Sequence, residues 1–347
     1  MSSQPSRGKG PPPGSNALGT CIVTGGSGWT GRALLQELGQ DESLGATRTL
    51  CLDIAPPPVG SAAEFHGIDV RDRTAVMRLF DEERPHTVFH LAALIDIRPE
   101  RGEACTAVNL EGTRHVLDAA ARVHARVVHV STHDVMFRGV DERLEPPRPP
   151  HDLQLAASCA YARSKAAGEL LAHEAARETP LVVLRPAHIF GAADPVAEHM
   201  RGVPPLQVGP ASASMSMVSV STLVHAMIAA AMRVEELSGR CYNVKDLDYN
   251  FCRFYQEVML GRRMWPLVVP GWLLLCYAMF MDWVMALLSA VGVQRHPFLS
   301  LSATAANLLI YEFTHDDAET RKDLGYRIPE KCWADGGHAK IMQAMGQ

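Results

Sequence analysis

The 347-residue sequence has few lysines: only six of its 33 basic residues are lysine, and the others are arginine. Its eight cysteines include no C-x-x-C pair, and its fifteen histidines show no metal-ligand spacing. The scattered cysteines indicate a reduced protein that faces the cytosol, and the histidine pattern predicts no metal site. The net charge of −5 leaves no basic stripe, which excludes a nucleic-acid-binding protein.

The first eighteen residues have no apolar core of the kind found in a signal peptide. They are polar and contain three consecutive prolines, so residues 1–18 are predicted to form a disordered tail. Beyond them, strand-like apolar runs alternate with stretches of helical spacing as far as residue 247. Strands that alternate with helices form parallel sheets covered on both faces, so we expect an α/β fold with a doubly wound parallel sheet.

A glycine-rich turn, TGGSGWTG at 24–31, stands between the first strand and the first helix. Glycine suits this place because the backbone must turn sharply and approach a pyrophosphate without an intervening Cβ. The phosphates then lie over the helix N-terminus, where unpaired N–H groups favour negative charge. The turn predicts a dinucleotide site of Rossmann type, although a purely structural turn would carry the same glycines. The predicted contacts are Gly25, Gly28, Trp29, Thr30 and Gly31.

Asp53 ends the second strand, 22 residues beyond Gly31. A carboxylate at this position accepts hydrogen bonds from the adenosine ribose and repels a 2′-phosphate. The following stretch, IAPPPVG, contains no arginine to hold such a phosphate. We therefore expect NAD in preference to NADP, the alternative being that Asp53 is an ordinary surface residue.

The pentapeptide YARSK places Tyr161 four positions ahead of Lys165, the only lysine between Lys9 and Lys245. On a helix, residues at i and i+4 lie on one face. Lysine differs from arginine in being a compact point charge that can lose its proton. The pair therefore suggests either an exposed helical turn or an acid–base centre.

The sequence resembles the extended short-chain dehydrogenase/reductases over residues 19 to about 247. The motifs that carry the resemblance occur in the order and spacing of that family. They are TGGSGWTG, LDI (52–54), GIDVRD (67–72), HLAA (90–93), VNLEGT (108–113), VVHVSTHDV (127–135), YARSK and LRPAHIFG (184–191).

This resemblance implies a role for each matching residue. Tyr161 would be the general acid/base, and the Lys165 cation would favour its phenolate form. Thr132, with Ser131 as the competing candidate, would orient the substrate oxygen. Asn109 would support proton relay or serve helix packing. The remaining implied cofactor contacts are Asp69 and Val70 at the adenine, Ala92 at a strand end, and Pro186 beside the nicotinamide.

Residues 265–292 are the most apolar stretch of the sequence. Residues 267–281 are 15 uncharged positions that end at Asp282, fewer than the roughly 20 of a spanning helix. Cations flank both ends, which favours a membrane-inserted helix or shallow hairpin. A transmembrane helix and a buried core or dimer helix are the alternatives.

An apolar insert followed by YEFTHDDAETRKDLGY (311–326) is similar to the 3β-hydroxysteroid dehydrogenase branch, including sterol-4α-carboxylate 3-dehydrogenases. The resemblance implies NAD-dependent oxidation of the 3β-hydroxyl of a sterol or steroid. It also implies contact with membrane lipid at the endoplasmic reticulum, with the catalytic domain facing the cytosol, and leaves a homodimer open. A nucleotide-sugar epimerase or dehydratase and a non-catalytic NAD-binding scaffold are the competing hypotheses.

The predicted domain plan has two parts after the tail. Residues 19–247 would form the NAD-binding Rossmann domain, with 191–218 contributing to the substrate side. Residues 248–347 would form a smaller, mainly helical substrate lobe that includes the membrane-associated segment 265–292.

Overall fold

The computed structural model describes residues 17–97, 101–144, 153, 159–289 and 303–326. Most of the predicted tail lies outside these residues. Leu18, however, is fully buried, and its N–H donates to the Leu44 carbonyl at 3.0 Å. Leu18 packs into the apolar core that contains the helix Trp29–Gln40.

Fourteen strands form the sheets of the protein in its described part. They are β1 (Gly19–Thr24), β2 (Ala46–Asp53), β3 (Glu64–Gly67), β4 (Thr87–His90), β5 (Arg126–Val130), β6 (Glu142–Leu144), β7 (Leu181–Pro186), β8 (His188–Phe190), β9 (Gln207–Val208), β10 (Met215–Ser219), β11 (Cys241–Val244), β12 (Leu247–Tyr249), β13 (Val268–Val269) and β14 (Phe313–His315).

Twelve α-helices connect or flank these strands in the same part of the chain. They are α1 (Trp29–Gln40), α2 (Arg73–Glu83), α3 (Gly102–Thr106), α4 (Thr113–Val123), α5 (Ala160–Ala175), α6 (Pro195–Met200), α7 (Val220–Met232), α8 (Val234–Leu237), α9 (Phe251–Arg253), α10 (Gly271–Ser289), α11 (Ala303–Ile310) and α12 (Ala318–Leu324). A π-helical turn, Ala107–Gly112, joins α3 to α4, and a second one, Phe254–Met259, follows α9.

The main sheet has seven strands in the order β11-β7-β5-β4-β1-β2-β3, and every pair is parallel. Cys21 and Val23 of β1 belong to the apolar core that contains α1 and α7. Ile22, between them, belongs to the core that contains α2, α4 and α5. Because successive side chains of a strand point to opposite faces, burial on both faces requires the continuous apolar runs seen in the sequence. The predicted doubly wound parallel sheet is confirmed.

A smaller sheet combines β12, β10, β14 and β6, with β8 also paired to β10. Strand β14 comes from the C-terminal region, yet it pairs with β10 and β6 from earlier in the chain. The C-terminal region therefore contributes a strand as well as helices. The domain boundary at residue 247 stays a prediction.

Helix α10 covers most of the apolar segment 265–292, and the short strand β13 precedes it within that segment. The helix runs without a break through Asp282, whose Oδ2 accepts the backbone N–H of Ala303 at the start of α11. No turn of a hairpin occurs between residues 271 and 289. Most of the large apolar side chains of α10 are exposed, Trp272 at 68% and Trp283 at 60% among them. By length and composition this helix could cross a membrane, which is weak evidence for membrane association.

Candidate active site

The glycine turn packs too closely for side chains at two positions. Gly25 has φ +69°, and a Cβ there would lie 2.8 Å from the backbone nitrogen of Ala92. A Cβ on Gly31 would collide with the Gly25 carbonyl and lie 2.7 Å from the Cα of Gly26. These contacts draw the first turn of α1 against the loop that follows β1, so the turn is a cradle that only glycine permits.

Helix α1 begins at this cradle. Gly28 precedes it in an extended conformation and offers no side chain to cap the first N–H groups. Gly28 is exposed, whereas the neighbouring Trp29 and Thr30 are half-buried. The Trp29 Nε1–H donates to the Ala192 carbonyl at 2.8 Å, which ties the helix start to the chain beyond β8. Open N–H groups at a helix N-terminus suit a phosphate group.

Asp53 lies beside the same turn, at the carboxyl end of β2. Its Oδ2 accepts the Ser27 N–H at 3.0 Å, and the side chain remains half-buried. Asp69, beyond β3, is paired with Arg71 at 2.6 Å, and Val70 is buried. The two predicted cofactor carboxylates therefore lie at the carboxyl ends of neighbouring strands, at the edge where ligands of open α/β sheets bind.

A buried polar chain connects the glycine turn to the helix that carries Asn109. Thr24 Oγ1 accepts the Ala92 N–H at 3.1 Å and lies 2.7 Å from His90 Nδ1. His90 Nε2 is 2.9 Å from Thr113 Oγ1, which donates to the Asn109 carbonyl at 2.7 Å. Burial lowers the pKa of His90 to about 3, so this imidazole is neutral.

Asn109 bridges two segments beside Tyr161. Its Oδ1 accepts the Leu94 N–H at 2.7 Å, and its Nδ2 donates to the Leu94 carbonyl at 3.0 Å. Nδ2 also donates to Ser164 Oγ at 2.9 Å, and that hydroxyl donates to the Tyr161 carbonyl at 2.7 Å. The amide thus holds the loop after β4 against the start of α5.

Tyr161 and Thr132 are brought together by α5 and the end of β5. Both side chains are buried, at 7% and 6% exposure. Burial raises the pKa of Tyr161, the Asp134 carboxylate raises it further, and the Thr132 hydroxyl lowers it. Thr132 also caps the short helical turn His133–Met136, since its Oγ1 accepts the Asp134 N–H at 3.3 Å.

Lys165 lies one turn further along α5 and is 3% exposed. Its Nζ donates to the Val130 carbonyl at 2.7 Å. Burial lowers its pKa to about 8, although Glu169 opposes this change. Lys165 was expected to lower the pKa of Tyr161, but it is not among the leading influences on that phenol. Burial and Asp134 have the largest effects on the Tyr161 pKa.

The structure separates the two hydroxyls that competed for the third catalytic role. Ser131 donates to Glu169 Oε2 at 2.5 Å, and Arg185 donates to Glu169 Oε1 at 2.5 Å from Nη2. Ser131 is thus bonded to Glu169, which lies about two turns of α5 beyond Tyr161. His173 and Cys241 approach Glu169 with metal-ligand spacing, but the Arg185 guanidinium already occupies that carboxylate.

Asp134 and the His188 imidazole that interacts with it were not predicted from the sequence. Asp134 follows Thr132 by two positions and accepts its hydroxyl at 3.0 Å. His188 Nε2 is 2.7 Å from the Tyr255 hydroxyl, which donates to Asp194 Oδ2 at 2.9 Å. Since the Tyr255 proton points to Asp194, His188 must carry its proton on Nε2. No sequence pattern indicated these residues, because Asp134 is a single acid after STH and Tyr255 lies 67 residues from His188.

The glycine cradle and the open start of α1 have the form of a dinucleotide cradle on a Rossmann-type sheet. Residues 21–244 match the family described as the NAD dependent epimerase/dehydratase family. The chain belongs to this family, which confirms the resemblance to extended short-chain dehydrogenase/reductases. It is an NAD-dependent enzyme of the oxidoreductase, dehydratase and epimerase type, and its cofactor is NAD. The glycine cradle and the open start of α1 fit that group.

Curated relatives and solved structures agree with this assignment. The chain is 26% identical to 3beta-hydroxysteroid-dehydrogenase/decarboxylase isoform 1 from Arabidopsis thaliana, over 88% of this chain and 75% of that protein. It is 24% identical to isoform 2 from the same plant, over 88% of this chain but only 58% of that protein. The structure of MoeE5 in complex with UDP-glucose and NAD has the same fold, with a TM-score of 0.64 and 20% identity over 94% of this chain and 99% of that one.

Proposed function

We propose that this protein oxidises the 3β-hydroxyl of a sterol or steroid to the 3-ketone at a membrane surface. The observation that carries the proposal is the combination of a Tyr161–Thr132 pair beside Lys165 with an exposed apolar helix in the same chain. The similarity to two plant proteins named 3beta-hydroxysteroid-dehydrogenase/decarboxylase supports the substrate class.

In this proposal the dinucleotide lies across the carboxyl edge of the main sheet. Gly25, Gly28 and Gly31 leave room for the pyrophosphate, and Trp29 and Thr30 line the helix start above it. Asp53 reads the ribose, Asp69 and Val70 border the adenine, and Ala92 and Pro186 lie at strand ends further along the edge. When bound, NAD supplies the acceptor for the hydride that leaves the carbinol carbon.

The chain's own residues move the proton. Tyr161 takes the proton of the substrate hydroxyl as general base, and Thr132 holds the substrate oxygen in place. Burial keeps the pKa of Tyr161 high, so the phenol needs a neighbouring cation before it can act as a base near neutral pH. Lys165 is the cation available on the same helix, and burial lowers its pKa to about 8.

Helix α10 would bring the enzyme to its substrate. A sterol partitions into bilayers, so an enzyme that acts on it gains by docking there. Nineteen helical residues extend about 28 Å, close to the roughly 30 Å of a hydrocarbon core. Exposed Trp272, Phe280 and Trp283 are side chains suited to the membrane interface. Location at the endoplasmic reticulum with a cytosolic catalytic domain belongs to the same proposal, and so does a homodimer.

The test is turnover by the purified full-length protein, reconstituted in lipid and followed by NADH absorbance. We expect oxidation of 3β-hydroxysteroids and little oxidation of their 3α-epimers. UDP-glucose serves as the competing substrate, since a nucleotide-sugar epimerase or dehydratase would act on it. Turnover of UDP-glucose without steroid oxidation would contradict the proposal, and NADH binding without any turnover would favour a non-catalytic scaffold.

A further inference from the structure

A tyrosine of the C-terminal region joins a histidine and an aspartate that follow β7. The Tyr255 hydroxyl donates to Asp194 Oδ2 at 2.9 Å and lies 2.7 Å from His188 Nε2. Tyr255 is fully buried, and Asp194 is 4% exposed. A hydroxyl group has one proton, so the bond to Asp194 leaves only the lone pairs of the oxygen for His188. The imidazole therefore donates from Nε2.

Asp194 is held as the acceptor at the end of this chain of hydrogen bonds. Its Oδ1 accepts the backbone N–H of Val196 at 2.7 Å and that of Ala197 at 3.3 Å, as the cap of α6. Burial raises the pKa of Asp194, whereas these two bonds and the bond from Tyr255 lower it. Three donated hydrogen bonds favour the ionised carboxylate, which accepts and cannot donate. The protons of the chain therefore all point from His188 toward Asp194.

The second ring nitrogen of His188 is an acceptor. Burial lowers the pKa of this imidazole to about 4, and a neutral ring with its proton on Nε2 has a lone pair on Nδ1. Within the part of the chain that the structure describes, Nδ1 makes no hydrogen bond, and it is not among the fully buried nitrogens that lack a partner. The residue is half-buried, with the Phe251 ring centroid at 5.1 Å. Nδ1 is therefore open to a ligand.

His188 lies at the edge of the main sheet that also carries Thr132. Strands β5 and β7 are parallel neighbours, and Val130 pairs with Leu184. Thr132 follows Val130 by two residues, and His188 follows Leu184 by four, so both lie beyond the carboxyl ends of these strands. Ligands of open parallel sheets bind at this edge. Pairing of His188 with Met217 of β10 fixes its backbone there.

We infer that Tyr255 and Asp194 fix His188 with its proton on Nε2, so that Nδ1 accepts a hydrogen bond from a neutral O–H or N–H group of a bound ligand. The inference rests on the proposed function, in which the donor is the carboxamide of the nicotinamide or a hydroxyl of the steroid. An imidazole that exchanged its proton between the two nitrogens would also donate from Nδ1 and bind a carbonyl or carboxylate oxygen there. Tyr255 is thus a positioning residue, because it acts on the ligand only through His188.

The tautomer is measured by nitrogen-15 NMR of the full-length protein in detergent, labelled at histidine, since protonated and unprotonated ring nitrogens differ widely in chemical shift. The His188 signals are those that disappear in His188→Asn. We expect a protonated Nε2 and an unprotonated Nδ1 in the wild type, and a larger fraction protonated at Nδ1 in Tyr255→Phe. Tyr242→Phe is the matched control, because Tyr242 is also buried and its hydroxyl donates to Asp323 at 2.8 Å. The control should leave the His188 signals unchanged.

The ligand is identified on the same labelled protein. NADH is added first, and a 3β-hydroxysteroid is then added to the NADH complex, which cannot turn over. A shift of the Nδ1 signal toward that of a hydrogen-bonded acceptor with NADH identifies the carboxamide as the donor, and a shift that appears only with the steroid identifies its hydroxyl. Affinity for that ligand, measured by calorimetry, should fall roughly 3- to 10-fold in His188→Phe, the effect of one lost hydrogen bond. It should fall less in His188→Asn, whose amide oxygen is also an acceptor.

A wild-type His188 protonated at Nδ1 would overturn the inference, and this result is available even if Tyr255→Phe does not fold. An unchanged tautomer in a folded Tyr255→Phe, or an Nδ1 signal that does not respond while both ligands bind, would overturn it as well. If the steroid does not bind, the proposed function fails, and the inference then stands or falls with the shift caused by NADH alone.

Discussion

Replacing Glu169 by Gln tests how the fold holds its reactive helix. Glu169 and Arg185 are fully buried, and Oε1 of the acid lies 2.5 Å from Nη2 and 2.9 Å from Nε of the arginine. Glu169 also follows Lys165 by one turn of α5, while Arg185 comes from β7. The pair thus fixes α5, with Tyr161 and Lys165, against the main sheet.

Two routes give a similar magnitude for this variant. Breaking a buried ion pair from one side costs about 3–5 kcal/mol, because the remaining charge is buried without a partner. Burial alone would raise the Glu169 pKa, but Arg185, His173 and Ser131 together lower it from 4.5 to about 2. That difference corresponds to about 3 kcal/mol at neutral pH. Since the folded-state pKa is lowered, this stability is present above pH 4.5 and is lost as the pH falls toward 2.

The assay is urea unfolding followed by circular dichroism. Glu169→Gln should lower the free energy of unfolding by about 3–5 kcal/mol. Glu236→Gln, which removes an exposed partner of Arg233, should cost less than about 1 kcal/mol. A double variant with methionine at 169 and 185 should recover much of the loss. A Glu169→Gln loss no larger than that of Glu236→Gln would show that the Glu169–Arg185 pair does not stabilise the fold.

Three further predictions concern the cofactor and the membrane. Gly31→Ala should abolish NADH binding, measured by fluorescence titration, because the new Cβ collides with the Gly25 carbonyl. The control is Gly39→Ala in the same helix, where the atom nearest to the new Cβ is 3.7 Å away. This control should bind NADH normally, and its free energy of unfolding should rise by roughly 0.5–1 kcal/mol. Equal NADH affinity in both variants would contradict the cradle. Asp53→Ala should weaken the binding of NAD and reduce the ratio of NAD affinity to NADP affinity, both measured in paired titrations. An unchanged NAD affinity would show that another group binds the ribose. Replacing Trp272, Phe280 and Trp283 by serine should release the protein from lipid vesicles in a sedimentation assay, since each side chain contributes roughly 2 kcal/mol to membrane binding. Replacing the exposed Val59 by serine is the control. If the triple variant still sediments with the vesicles, α10 is not the membrane contact.

The sequence predicted the parts of the fold that depend on local pattern. Continuous apolar runs, such as that of β1, indicated strands that are buried on both faces. The glycine turn could be placed between its strand and helix because the spacing of its glycines depends only on the local backbone. The same reasoning placed Tyr161 and Lys165 on one helix, and the structure has both on α5.

The remaining features depend on contacts between distant segments. The residues next to Ser131 in the sequence do not indicate that it would bind Glu169. That hydrogen bond is what gives Ser131 a different role from Thr132. The chain His188–Tyr255–Asp194 and the pairing of β14 with β6 likewise join residues far apart in the sequence. Asp282 lies within a continuous helix, and its carboxylate accepts a hydrogen bond from the start of α11, a partner that no local pattern indicates. The membrane-inserted helix or shallow hairpin over 265–292 stays a prediction.

In the proposed function, Tyr161 transfers the proton of a 3β-hydroxyl group. The most direct test of this role is Tyr161→Phe, assayed for steroid oxidation by NADH absorbance and for NADH binding by fluorescence on the same preparation. The phenol oxygen is needed for proton transfer and not for cofactor affinity. We predict that turnover falls by on the order of 10²-fold or more while the dissociation constant for NADH stays within a factor of about two. Turnover that stays within about tenfold of the wild type would show that Tyr161 does not transfer the proton.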